Sequence, residues 1–351
     1  MNQKGQTKRV RLDRSASIDR VTTKMFQSSL TCLKWTRLIR IRASLIVVMA
    51  IALASCAVSR GRGESAADFT GEMAHGGLTR TYFVHVPPDY DPSHPMPLVI
   101  ALHGGRGNGG QAARYSGLSR EADQSGFLVA YPDGFGGHWN DGRSFEESSK
   151  RKPVDDSGFL MALVDHLAET YTIDRSRVYI TGASNGAFMA NRLACEHADR
   201  IAAIAPVIGS MAAELAEKCH PSRPVPVLMI NGTEDRLVPY EGSEVKFGFQ
   251  RLGHMLPVPE LVKFWVRHNH CSPQPEKTRL PDLDREDGTR VEVERYTSCR
   301  EGAAVTLYRI EGGGHTWPQG VQYLPEFIIG RTSKDLDANR AIWEFFRQYR
   351  R

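Results

Sequence analysis

Outside its first 56 residues this chain has no excess of positive charge. Residues 1–56 hold eleven Lys or Arg against Asp13 and Asp19, a net of +9; the whole chain carries +5, so the remainder carries 5 − 9 = −4. A body of that charge offers no basic face to a nucleic acid. Repeats and low-complexity tracts are also missing, which excludes solenoids and arrays. The apolar run at 43–54 is twelve residues, too short to span a bilayer comfortably. Cysteine is scarce, six residues in 351, and its spacing fits no standard zinc pattern. What is present is an ordinary globular composition, 41% hydrophobic and 24% charged, in a chain long enough for one large α/β domain or two small ones.

The leader explains the basic excess. A basic stretch at 34–42 precedes the apolar run, which ends in Leu53-Ala54-Ser55-Cys56. A basic region followed by a short apolar region is an export signal. Its end resembles the bacterial lipobox, in which the cysteine, here Cys56, is lipidated and becomes the mature N-terminus. An ordinary secretory signal with a cysteine near its cleavage site is the alternative. On the first reading the only membrane contact is the N-terminal lipid, and the protein is a bacterial cell-envelope lipoprotein or is secreted. Residues 1–24 have no part in this scheme, and Met25 is a second candidate start. Residues 57–78 read as a flexible tether and 79–351 as one folded domain. Four cysteines remain, Cys195, Cys219, Cys271 and Cys299, and an exported protein is where pairing is expected. Of three possible pairings, Cys195–Cys219 and Cys271–Cys299 each close a short segment and are preferred. The alternative is a metal site drawing on His268 and His270 beside Cys271.

Apolar patterning predicts strands at 80–87, 97–105, 127–134, 177–182, 201–209, 224–232, 290–296 and 304–315. Helical patterns fall at 111–125, 157–171, 185–197, 259–270 and 335–349, and four prolines make 88–97 a loop. Strands alternating with helices imply an α/β fold, a mainly parallel sheet covered on both faces.

Three chemically able side chains fall just past strands. Gly182-Ala183-Ser184-Asn185-Gly186 spells G-x-S-x-G between an apolar strand and a helical run, the context a nucleophilic serine needs. Asp235 follows the strand at 224–232, and His315 follows Gly312-Gly313-Gly314, which let that loop bend back over the sheet. A serine hydroxyl needs a base to take its proton, and the base needs a group that fixes its tautomer. Ser184, His315 and Asp235 can fill those roles, in the chain order Ser, Asp, His of α/β-hydrolases. Glu234 is the weaker candidate for the acid. The oxyanion donors expected are the amides of Asn185 and Gly105, with Arg106 second to Gly105. His103 and His85 read as scaffold residues. Trp139 and Trp317 line a substrate pocket or pack in the core, and Tyr240 is equally open. Such a mechanism calls for no metal or organic cofactor.

The segments ALHGGRGNGG, TGASNGAFMANRLAC, INGTEDRLVPY and GGGHTWPQG resemble the secreted esterases known as poly(3-hydroxybutyrate) depolymerases and feruloyl esterases, carbohydrate esterase family one-like members of the α/β-hydrolase superfamily. HWNDG at 138–142 and VDDSGFL at 154–160 are similar to further family segments. The resemblance runs from about residue 80 to 349. It implies a carboxylic-ester hydrolase with Ser184 as nucleophile, His315 as base and Asp235 as acid, and it supports the two disulfides. Two departures stand out. Arg106 occupies a position where the family commonly has a small residue; it either narrows the site, attracts an acidic ester or points to solvent. Only 36 residues follow His315, too few for the separate substrate-binding domain of many polymer-degrading members. The rival readings are a serine peptidase of related fold and a non-catalytic envelope binding protein.

Overall fold

The structure, a computed structural model, describes residues 68–144, 154–247 and 250–351. The export signal, Cys56, Met25 and the tether up to residue 67 lie outside the described residues. The first strands are β1 (Asp68–His75), β2 (Leu78–His85), β3 (Met96–Leu102), β4 (Leu128–Pro132), β5 (Ile173–Ala183) and β6 (Ala203–Val207). They are followed by β7 (Val227–Gly232), β8 (Ser243–Phe247), β9 (Gln250–Met255), β10 (Glu276–Arg279), β11 (Arg290–Tyr296) and β12 (Val305–Glu311). The longer helices are α1 (Gly109–Ser116), α2 (Leu118–Ser125), α3 (Asp156–Thr170), α4 (Asn185–Glu196), and, beyond the short α5 (Ala213–Ala216), α6 (Val258–His268). A short α7 (Glu326–Ile329) and α8 (Ala338–Phe346) complete the order.

Alternation along the central strands sets the layers, because successive side chains of a strand face opposite sides. In β3, Leu98, Ile100 and Leu102 join a core layer with residues of α3, α4 and α6. Val99 and Ala101 face the other way, into a layer with residues of α1, α2 and α8. The ten-stranded sheet runs β1-β2-β4-β3-β5-β6-β7-β12-β11-β10. From β4 to β12 neighbouring strands are parallel, and both ends finish in antiparallel pairs. A separate hairpin pairs β8 with β9.

The tether boundary needs correction. Residues 68–75 form edge strand β1, paired with β2 from Asp68↔His85 to His75↔Leu78. Gly76 and Gly77, read as part of a flexible segment, are the turn of this hairpin, both at positive φ (59° and 77°). A two-residue Gly-Gly connection of this kind matches the twist of the flanking strands. The strand escaped notice because an edge strand needs only one buried face, and DFTGEMAH carries few apolar residues. The helix expected at 111–125 is two helices, broken at Gly117, whose φ of 65° ends α1 and begins α2. Strand β8 does alternate, with Val245 and Phe247 either side of Lys246, but over too short a run to stand out, and β9 and β10 have no apolar alternation that would announce them.

Both preferred disulfides are formed, Cys195–Cys219 and Cys271–Cys299. Cys271 is therefore committed to sulfur, and both ring nitrogens of His268 lie 3.1 Å from backbone oxygens, of Phe264 and Cys219. The metal reading of that segment falls with those contacts.

Candidate active site

Ser184 stands alone between β5 and α4, at φ 55° and ψ −119°. A non-glycine residue there is strained, and the sharp turn presents its side chain at the carboxyl edge of the sheet. The flanking glycines are required by close packing. A Cβ at Gly186 would lie 2.4 Å from Leu102 O and 2.7 Å from His103 O, and one at Gly182 would lie 2.8 Å from the Gly186 backbone. The turn can therefore press against the end of β3 only without side chains at these two positions.

That contact brings the His103-Gly104-Gly105 loop to the serine. A Cβ built at Gly104 would sit 3.5 Å from Ser184 Cβ, and one at Gly105 would sit 3.8 Å from Asn185 Cβ. Asn185 is the first residue of α4, so its N–H has no carbonyl partner within the helix. His103 is fully buried and holds the loop. Gly134 N–H donates to its Nε2 at 2.8 Å, so the ring proton sits on Nδ1, which donates to Gly104 O at 2.7 Å. Burial lowers its pKa to about 4, leaving the ring neutral in ordinary buffers.

Asp235 lies three residues past β7, and His315 four past β12. His315 Nδ1 donates to Asp235 Oδ2 at 2.7 Å, with both side chains buried. The other carboxylate oxygen accepts from the amides of Leu237 and Val238 at 2.9 and 2.8 Å, which fixes the rotamer of Asp235. Tyr323 donates its hydroxyl to His315 O at 2.9 Å, a contact the sequence did not signal. Burial of that hydroxyl end, with the Asp235 charge nearby, raises the pKa of the phenol. Among the described residues no hydrogen bond joins Ser184 Oγ to His315. Catalytic contacts of this kind commonly tighten only when substrate binds.

The remaining candidates separate clearly. Glu234 is exposed, and only its backbone faces the histidine loop, donating to Gly313 O at 2.9 Å. His85 is buried between Asp68 and Asp123, at 2.6 and 2.8 Å, a scaffold position. Tyr240 packs in the core. Arg106, at φ 62°, donates to Gln250 Oε1 at 2.6 Å, so the guanidinium is engaged with strand β9 rather than projecting freely. The pocket role for the two tryptophans is corrected. Trp139 and Trp317 are each 4% exposed, and their indole N–H groups donate to His103 O and Asn339 Oδ1. Side chains so enclosed present almost no surface to a ligand.

The segments HWNDG and VDDSGFL meet in the fold. Asp156 accepts from buried Arg80 at 2.7 Å and from Asn140 N–H at 2.7 Å. Burial nevertheless raises the Asp156 pKa. Asp141, Trp139 and the Asn185 side chain form a second network that no local signal could have revealed, since the partners lie far apart in sequence.

The family model described as Esterase PHB depolymerase matches residues 80–230. A Nocardia uniformis subsp. tsuyamanensis protein, "Putative esterase NocK", is 33% identical over 282 residues, covering 78% of this chain and 81% of that relative. The chain belongs to the PHB-depolymerase esterase family. This esterase is also 29% identical to Feruloyl esterase B of Piromyces equi over 243 residues, 69% of its own length but 43% of that relative. Its fold matches the acetyl xylan esterase from Aspergillus awamori with a TM-score of 0.53 at 16% identity, covering 79% of this chain and 98% of that one. The esterase is a carboxylic ester hydrolase with the α/β-hydrolase fold.

Proposed function

We propose that the esterase works through an acyl-enzyme, with Ser184 as nucleophile, His315 as base and Asp235 as its orienting acid. Two observations carry this: the buried Asp235–His315 contact at 2.7 Å past β7 and β12, and the strained turn that holds Ser184 past β5 of the same sheet. His315 Nε2 takes the Ser184 proton as Oγ adds to the ester carbonyl. The amides of Asn185 and Gly105 receive the negative charge of the tetrahedral intermediate. Collapse expels the alkoxide, which takes its proton from His315. Water, deprotonated by His315, then cleaves the acyl-enzyme and frees the acid and Ser184.

The substrates proposed are hydroxyalkanoate oligomers and feruloyl-type esters. Relatives named for those two ester classes support this, among them Poly(3-hydroxyalkanoate) depolymerase C of Paucimonas lemoignei, 34% identical over 131 residues. Tyr323 and Phe327, exposed on the segment after His315, add apolar surface near the base. Export to an oxidising compartment is part of the proposal, supported by two disulfides, and lipid attachment at Cys56 remains its envelope form.

The deciding assay is hydrolysis of p-nitrophenyl acetate and butyrate, methyl ferulate and a 3-hydroxybutyrate trimer, with Ser184→Ala beside the parent. Serine-dependent turnover is expected, and the preferred ester assigns the substrate class. Turnover that survives Ser184→Ala overturns the assignment.

A further inference from the structure

The amides assigned to the oxyanion come from distant pieces of chain, the turn after β3 and the first residue of α4. Segment 139–143 lies between them and bonds to both. The Trp139 indole N–H donates to His103 O at 2.9 Å, gripping the turn that carries Gly105. The Trp139 backbone N–H donates to Asn185 Oδ1 at 2.8 Å, and Asn185 Nδ2 donates back to Trp139 O at 3.1 Å. Asn185 Nδ2 also donates to Asp141 Oδ2 at 2.6 Å. Asp141 in turn accepts from Arg143 Nε at 2.9 Å, and the Arg143 guanidinium lies 4.1 Å over the Phe188 ring of α4.

The network has one consistent donor pattern. A backbone N–H only donates, so Oδ1 of Asn185 must face the Trp139 N–H, which turns Nδ2 to Asp141. Trp139, Asp141 and Asn185 are each at most 5% exposed, so water cannot readily replace a lost partner. The result is a rigid clip whose two jaws are the two donor-bearing segments.

We propose that Trp139 and Asp141 are positioning residues for ester hydrolysis, acting through His103 O and the Asn185 side chain to set the spacing of the Gly105 and Asn185 amides. The proposal rests on the reading of those amides as the oxyanion donors. Their spacing matters because donors must meet the developing oxyanion at about 2.7–3.1 Å. A 1 Å misplacement can cost about 10²-fold in rate.

Trp139→Phe tests this by deleting one N–H while keeping an aromatic ring against His103. Expected is a fall in kcat on p-nitrophenyl butyrate of about ten- to a hundredfold, with KM little changed. Inhibition by benzeneboronic acid, which forms a tetrahedral adduct on serine, should weaken by the same factor as kcat/KM. A merely structural role would lower Tm without that coupled loss. Asp141→Asn, which sets an amide against Arg143, is read the same way if Trp139→Phe does not fold. Unchanged kcat in a folded variant, a loss confined to KM, or unchanged boronate affinity overturns the clip. Failure of both variants to fold also overturns it, by assigning the network to stability. Ser184→Ala is measured alongside. If it stays active, the reading of the site fails; if turnover needs Ser184 yet is normal in the clip variants, only the clip fails.

Discussion

His315 Nδ1 lies 2.7 Å from Asp235 Oδ2, and Asp235 is itself held by the amides of Leu237 and Val238. The carboxylate therefore has one oxygen for its own loop and one for the imidazole. In the proposed mechanism, this division leaves Nε2 as the nitrogen that takes the proton of Ser184.

Asp235→Asn should keep the loop contacts through its remaining oxygen while turning an N–H toward His315 Nδ1. That stabilises the wrong tautomer, with Nε2 protonated. The expected loss in kcat is about 10⁴-fold with little change in Tm. Steady-state kinetics with a thermal melt checks it, and a loss under tenfold would separate Asp235 from the proton transfer.

Gly186→Ala places a Cβ 2.4 Å from Leu102 O, against backbone that cannot step aside. Overpacking of this kind destabilises by about 1–3 kcal/mol, with the serine turn displaced as well. Chemical denaturation should show the lower midpoint, and the remaining folded protein should turn over ester more slowly. A variant matching the parent in both would mean that the loop and turn are not so tightly apposed.

Stability should fall in acid through His103. Its folded pKa of about 4 lies below the ordinary histidine value of 6.5, so the unfolded chain binds more protons between those limits. The His103 contribution is complete above pH ~6.5 and declines as pH falls to ~4, by up to about 3 kcal/mol. Carboxylates such as Asp165 and Asp174, whose pKa values are lowered despite partial burial, act in the same direction at lower pH. Comparison with His103→Gln isolates the histidine. Between pH 4 and 6.5 the variant should show a flatter dependence of Tm on pH. Parallel curves would place the ring's titration elsewhere.

Reduction should lower Tm, because each disulfide restricts the unfolded chain. For loops of 24 and 28 residues the loop-entropy argument gives roughly 3 kcal/mol apiece. Calorimetry with and without a thiol reductant measures it, and coincident melts would show that the bridges do not form in solution.

The parts legible in the sequence are those encoded locally. The turn around Ser184 announces itself through two glycines at fixed offsets, an apolar strand before and a helical run after. The alternation of strands and helices specifies a mainly parallel sheet, because buried strands read as apolar runs and each helix shows one apolar stripe. Short separations made the two cysteine pairings readable. By contrast, β1 carries no strong alternation; it is a strand because His85, Val84 and the rest of β2 offer it an edge. The place of Trp139 was equally hidden. Any tryptophan near a serine turn can be imagined lining a pocket, but its indole N–H lies 2.9 Å from His103 O only because β3, α4 and segment 139–143 converge in space. Likewise, Arg106 finds Gln250 across 144 residues of chain. Local steric and periodic rules act over a few residues and can be read from order alone. Partners brought together by sheet order and packing exist only once the whole domain has closed, so the tertiary structure decided them.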